Sequence, residues 1–297
     1  MEKLVIKDNS YHFIKDFKHD EVLRKSFNSM TETHFGFSLE DWYQSGYWGD
    51  YYVPYALIDG KEVVSNVSIN RLEFVINGQA KLGIQIGTVM TDEAYRKRGL
   101  NKYLLLRVLE DWKGQADFIY LFANDSVLDF YPKFGFESLE EYQYSRSVNS
   151  DSTSAFRKLN IENNDDLALL KETVNQSVPV SKISVRDHAS MILFYGMSFM
   201  KESIYLLEEL KTIVFADQEG DTLVLHEVFC KRGVDLNEVI QKISSSNINQ
   251  VKLGFTPLDI SGLEKSLITG EDQLFMLQDQ SNFFKENQWM FPIMSHA

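Results

Sequence analysis

The chain has 297 residues, of which 44% are hydrophobic and 25% charged, and its formal net charge is -13. This is enough chain for two ordinary cores and too apolar a composition for disorder. It is also too acidic to favour nucleic acid, whose phosphates need a surplus of Lys and Arg on some face.

A single cysteine, Cys230, excludes an intrachain disulfide and a thiol-based metal cluster and fits a reducing cytoplasm. The opening Met1-Glu2-Lys3-Leu4-Val5-Ile6-Lys7-Asp8 lacks the apolar core of a signal peptide. No uncharged apolar run approaches the ~20 residues of a membrane span. The expectation is a soluble, cytoplasmic protein with neither nucleic acid nor a membrane as partner.

In chain order, a polar-apolar mix gives way to an aromatic cluster: Phe35, Phe37, Trp42, Tyr43, Tyr47, Trp48, Tyr51, Tyr52 and Tyr55. The expectation is core packing between an N-terminal helix pair and a sheet, with one or two rings on a pocket. A β meander follows. Strands are expected over Tyr52 to Ile58, Glu62 to Val75 and Ala80 to Met90, separated by the turn dipeptides Asp59-Gly60 and Asn77-Gly78, which suit two-residue hairpins. The period then changes. Leu104, Leu105, Val108, Leu109 and Trp112 form one face of a helix over Leu100 to Trp112. Asp117 to Ala123 reads as a buried strand, Asn124 to Tyr131 as a short helix, and Pro132 to Phe136 as a turn into a last strand. Strands and helices in this order predict an α/β (α+β) domain.

Ser145 to Ser154, rich in Ser, Asn and Asp, reads as a linker. The expected units are therefore 1–147 and 155–297. The second half repeats the plan loosely. Strands are expected at Phe156 to Ile161, Ser203 to Leu210, Thr212 to Asp217, Thr222 to Cys230 and Gln250 to Phe255. Helices are expected at Asp165 to Gln176, Asp187 to Met197 and Asp235 to Ile243. The apolar tail Gln288 to Ala297 is expected to dock rather than hang free.

The stretch Gly87 to Asn101 carries the chemistry. A strand end, a basic loop containing Gly99 and a helix start succeed one another, and a helix N-terminus offers unpaired amides and partial positive charge to an anion such as a pyrophosphate. Arg96, Lys97 and Arg98 add cationic donors, and Gly99 lets backbone approach the ligand. The run Arg96-Lys97-Arg98-Gly99-Leu100 resembles the acetyl-CoA signature of the GNAT superfamily of N-acetyltransferases. Asn101 departs from the Gly or Ala usual at the next position. A second resemblance follows in Asn124 and the run Tyr131-Pro132-Lys133-Phe134-Gly135-Phe136. The two together cover roughly residues 50 to 140.

That resemblance implies two GNAT-like domains, each a mixed, mostly antiparallel sheet flanked by helices, the first catalytic and the second degenerate. It implies acetyl-CoA as co-substrate, held by Val89, Met90, Thr91, Arg96, Lys97, Arg98, Gly99, Leu100, Asn101 and Asn124. It makes Tyr131 the general acid that protonates the leaving thiolate. The acceptor is expected to be a primary amine of a small molecule, with Glu32, His34, Asp41, Asp50 or Glu73 as candidate proton acceptors. In the second half, Cys230-Lys231-Arg232-Gly233-Val234 falls where a cofactor loop belongs, but no second signature follows. In the enhanced-intracellular-survival type of this family the terminal carboxylate reaches the active site, which would give Ala297 that part. No metal is expected, since His12, His19, His34, His188, His226 and His296 show no ligand spacing. An aminoacyl-transferase of the tandem cell-wall type and a non-catalytic acyl-CoA sensor are the competing readings. Whether the chain forms a homo-oligomer is left open by the residues.

Overall fold

A computed structural model of the chain describes residues 1–148, 156–186, 188–270 and 272–296. It opens with a hairpin, β1 (Glu2–Ile6) and β2 (Asn9–Lys15), where sequence alone suggested only a polar-apolar mix. Its turn is Lys7-Asp8, with φ of 46° and 65°, the mirror-image turn that matches strand twist. Helix α1 (Glu21–Phe35) starts at Asp20, whose carboxylate accepts from the amides of Val22 and Leu23. Its buried face, Leu23, Phe27 and Met30, packs with α2 (Glu40–Gln44) against the back of the meander, in a core that includes Trp42, Trp48 and Tyr52. Much of the aromatic cluster is therefore core.

The meander is β3 (Tyr52–Asp59), β4 (Glu62–Ile76) and β5 (Gln79–Thr91). Asp59 ends β3 instead of entering the turn, which falls on Gly60 and Lys61. Helix α3 (Leu100–Trp112) has the bounds its periodicity predicts and buries Leu100, Leu104, Leu105 and Val108 on the sheet. β6 (Phe118–Ala123) returns parallel to β5. The segment expected to be one short helix after Asn124 is instead two 3₁₀ turns, Asp125–Val127 and Tyr131–Phe134, leading into β7 (Phe136–Leu139).

The second half contains β9 (Arg157–Lys158), α4 (Asn164–Asn175), β10 (Ile183–Arg186), α5 (Ala189–Ser198), β11 (Ile204–Leu207), β12 (Thr212–Glu219), β13 (Thr222–Cys230), α6 (Leu236–Ile243), β14 (Gln250–Leu253), β15 (Glu264–Leu267), β16 (Gln273–Leu277) and α7 (Asn282–Lys285). The plan of the first half recurs: an antiparallel meander into β13, a helix, and β14 parallel to β13.

The sheets do not follow a single cut in the chain. The strand expected to be a linker start, β8 (Tyr142–Ser147), pairs with β14 and β15 in the second sheet. β16 in turn lies between β6 and β7 in the first. The first sheet thus takes two strands from the second half, β16 and, on the free side of β4, β10, while the second sheet takes β8 from the first. Ser145 to Ser147 belong to this exchange because their backbone, not their polar side chains, supplies the pairing. Residues 149–154 of the expected linker lie outside the described residues. The tail docks: Trp289, Met290, Phe291 and Met294 are buried, and Phe291 stacks on Tyr120 at 4.5 Å and on Phe284 at 5.2 Å.

Candidate active site

β5 and β6 pair only over Gly83–Ile86 and Phe118–Leu121. Beyond that register they part. The cause lies in β5. Its pairing with β4 slips between Asn66 and Ser68, and Thr88 at the bulge takes a φ of 48°. A bulge bends a strand and re-aims its amides. Two side chains hold it: Tyr52 Oη sits 2.8 Å from Thr88 Oγ1, and the buried Asn66 amide donates to the Thr88 carbonyl at 3.0 Å.

The parted strands open a cleft of about 1250 Å³. Its floor is Val89, Met90 and Thr91. One wall is the loop and helix start at Arg96, Lys97, Gly99, Leu100 and Asn101, and the other holds Asn124 and Tyr131. Every residue expected to touch the co-substrate therefore lies on it except Arg98. That guanidinium points away, donating to Tyr11 Oη at 3.2 Å and to the Ala94 carbonyl at 2.7 Å while lying 4.6 Å from the Tyr95 ring centre. Its place is structural: it ties the loop to β2.

The start of α3 has the chemistry of an anion site. α1, α4 and α6 are each capped by a side chain, from Asp20, Asn163 and Asp235. No side chain caps α3, whose N-cap is Gly99 with φ 86°. A Cβ built on Gly99 would meet no atom within 4 Å, so the space beside it belongs to the cleft. Asn101 does not block the approach. Its Oδ1 accepts from Ser65 Oγ at 2.6 Å and from Thr91 Oγ1 at 2.9 Å, drawing the side chain down onto β4 and β5. Asn124 caps its own turn, accepting at Oδ1 from the Ser126 amide at 3.1 Å.

Tyr131 is 5% exposed. Its ring packs on Phe130, Phe136 and, from β16, Phe275. No hydrogen bond to its hydroxyl occurs among the described residues. Burial pushes the phenol up to about 12, so it keeps its proton throughout the physiological range.

Of the five candidate proton acceptors only His34 lines the cleft, with Nε2 3.2 Å from the Thr91 carbonyl and Nδ1 2.9 Å from that of Met30. Glu32 and Asp41 are exposed elsewhere. Asp50 pairs with Lys18 at 2.7 Å, and Glu73 sits over a separate small pocket. Several other wall residues carry no signal in the chain's local pattern. Phe122, Phe194, Tyr195, Phe199, Asp272 and His296 also line the cleft. Most come from the second half and meet the first only through the fold. His296 stacks on Phe122 with centres 3.6 Å apart, and burial lowers its imidazole to about 3. Ala297 lies outside the described residues. Among those described, no group of three His, Cys, Asp or Glu side chains could hold a metal, and no helix is long and apolar enough to cross a membrane.

The matching gap of the second sheet is filled by the chain itself. β13 and β14 pair over Thr222–Leu225 and Gln250–Leu253. Past that point the Val178 amide donates to the Cys230 carbonyl at 2.8 Å, Lys182 to Thr256 at 2.8 Å, and Leu258 to Val180 at 3.1 Å. Gly254 is pressed so close to β13 that a Cβ would fall 2.8 Å from the His226 carbonyl oxygen. The loop Cys230 to Val234 ends at the Asp235 carboxylate, which caps α6.

Residues 17–139 match the family model described as an acetyltransferase (GNAT) domain. No curated protein sequence matches. The whole fold is similar to a GCN5-related N-acetyltransferase from Kribbella flavida, with a TM-score of 0.56, 16% identity, and 90% of this chain and 71% of that one covered. It is similar also to Eis1 from Mycobacterium abscessus, with a TM-score of 0.54, 14% identity, and coverage of 89% and 72%. A GCN5-related N-acetyltransferase from Anabaena variabilis gives 0.53, 13%, 89% and 72%. At these identities the likeness is one of fold.

Proposed function

We propose that the protein is a cytoplasmic enzyme that moves an acetyl group from acetyl-CoA to the primary amine of a small molecule, with residues 1–147 as the catalytic unit and 155–297 as a copy without its own cofactor site. One observation carries the reading: a single cleft presents both an uncapped helix start with basic residues beside it and, across the parted strands, an otherwise unpaired phenol. The first suits a diphosphate. The bulged strand offers backbone to a pantetheine arm, which carries amides of its own. The second copy has its gap occupied by residues 178–182 and its helix start closed by Asp235, which supports one cofactor site per chain.

The neutral acceptor amine adds to the thioester carbonyl carbon, forming a C–N bond. The C–S bond then breaks, and sulfur departs with the electron pair. Tyr131 gives that sulfur its proton, and the proton shed by nitrogen restores the phenol through water or the His34 side of the cleft. The products are an amide and a free thiol. Because burial makes Tyr131 a weaker acid than free phenol, its contribution is chiefly the hydrogen bond that strengthens as charge gathers on sulfur.

The test is thiol release from acetyl-CoA with a panel of amines, alongside calorimetric titration of coenzyme A. Amine-dependent release at a rate above hydrolysis is expected. Binding without release under any amine would favour a sensor, and no binding would end the reading.

A further inference from the structure

The cleft has an end built of phenylalanine. Phe35 closes α1, and Phe37 follows it across the turn at Gly36. Phe194 and Phe199 come from α5 and its C-terminal cap, in the other half of the chain. Phe35 and Phe37 stack at 6.0 Å. Phe37 meets Phe194 and Phe199 edge-on at 5.6 and 5.7 Å, and those two meet each other at 5.7 Å. All four line the same cleft as Tyr131. Two of them are left largely to solvent, Phe35 at 46% and Phe199 at 57%. They form a continuous apolar face open to the cleft, whereas scattered exposed rings would need no explanation.

The charged side chains of the cleft belong to other segments. Arg96, Lys97 and Lys102 surround the start of α3, Asp125, Asp129 and Lys133 lie on the turns after β6, and Asp272 precedes β16. A polyamine or an amino sugar needs acceptors and carboxylates distributed along its body, because each desolvated polar group left unpaired is penalised. Four phenyl rings offer none. They offer edges and faces to another ring. The wall is also held firmly. On α5, Met191, Ile192 and Leu193 are buried in the central core, so Phe194 and Phe199 are carried on an anchored helix rather than a free loop.

Resting on the transferase reading above, we propose that the acceptor is an arylalkylamine: one primary amine on a short chain, with an aromatic body laid against Phe35, Phe37, Phe194 and Phe199. The rings set specificity by holding the body, and the reacting nitrogen extends past them toward the bulge of β5.

The test compares tryptamine, phenylethylamine, spermidine and glucosamine as acceptors by thiol release, with coenzyme A affinity measured on the same samples. Expected is a kcat/KM at least about tenfold higher for the two arylalkylamines. Phe35→Ala and Phe199→Ala remove exposed rings, so both variants should fold. Each is expected to raise the KM for tryptamine about tenfold while kcat changes less than about twofold, because the lost contact serves ground state and transition state alike. Coenzyme A affinity should not move. Preference for spermidine or glucosamine, or an unaltered tryptamine KM in both variants, overturns the acceptor class and leaves the transferase reading standing. Absence of coenzyme A binding overturns both.

Discussion

Replacing Tyr131 with phenylalanine removes one hydroxyl from the cleft and leaves the packing in place. The ring contacts with Phe130, Phe136 and Phe275 are all made by carbon. The hydroxyl has no protein partner among the described residues, so the variant forfeits no hydrogen bond in the folded state, and its stability should match or slightly exceed that of the parent. Catalysis should fall. A positioned proton donor contributes roughly 10²–10⁴-fold. Tyr131 belongs at the lower end, since a phenol held near 12 is poorly matched to a thiol with a reference value of about 8.5. The expected loss in kcat is therefore about 10²-fold, or about 2.7 kcal/mol in the barrier. The KM for acetyl-CoA should be unchanged. Steady-state thiol release measures kcat and KM, and a thermal melt measures the stability. Unchanged kcat would remove Tyr131 from the mechanism, and a large drop in Tm would show that the hydroxyl has a structural partner instead. The pH profile adds a check: activity should show no alkaline limb from this group below about pH 11, because its acidic form persists up to about 12.

Gly99→Val places a β-branched residue at a φ of 86° and a side chain in the cleft, and calorimetry should show coenzyme A affinity reduced about tenfold or more. Equal affinity would contradict the loop assignment. Phe291→Ala empties a fully buried site between Tyr120 and Phe284 and should cost about 3–5 kcal/mol in a urea titration. A cost below about 1 kcal/mol would mean the tail is not docked in solution. Glu227, buried on β13, has its carboxyl raised from 4.5 to about 8 by burial. The native state thus keeps a proton that the unfolded chain gives up, so the stability this group confers is whole below about 4.5 and is lost as pH rises to about 8. Glu227→Gln should flatten the decline in Tm between pH 5 and pH 8, and parallel slopes in the two proteins would refute the assignment.

The legible parts of this sequence were those governed by local rules. The meander announced itself through Asn77-Gly78, whose φ angles of 50° and 78° are the ones the dipeptide favours. α3 was readable because Leu104, Leu105 and Val108 recur on one face. Gly87 to Asn101 placed the basic loop between a strand and a helix start. What escaped depended on distant pairing. Gln273 to Leu277 is a short apolar run whose pattern does not by itself say strand or helix, and it gains its partners from residues more than a hundred positions earlier. Ser145 to Ser147 look like linker because pairing through backbone leaves no trace in side-chain type. Arg98 is adjacent to residues on the cleft yet turned from it by Tyr11, a contact between segments that spacing does not encode. The phenylalanine end of the cleft was half visible: Phe35 and Phe37 stood out, but nothing in the chain said that Phe194 and Phe199 would face them.

The reciprocal placing of β8 and β16 has a consequence for how the molecule is made. On a ribosome the first sheet acquires β1 to β6 early, but β7 can attach only through β16. Until residue 277 has emerged, Phe136 and the turn bearing Tyr131 lack the strand that fixes them, and Phe275 is missing from the pocket around the phenol. A chain shortened before β16 thus lacks the strand that joins β7 to β6, and that wall of the cleft is finished only after residue 277 has been made.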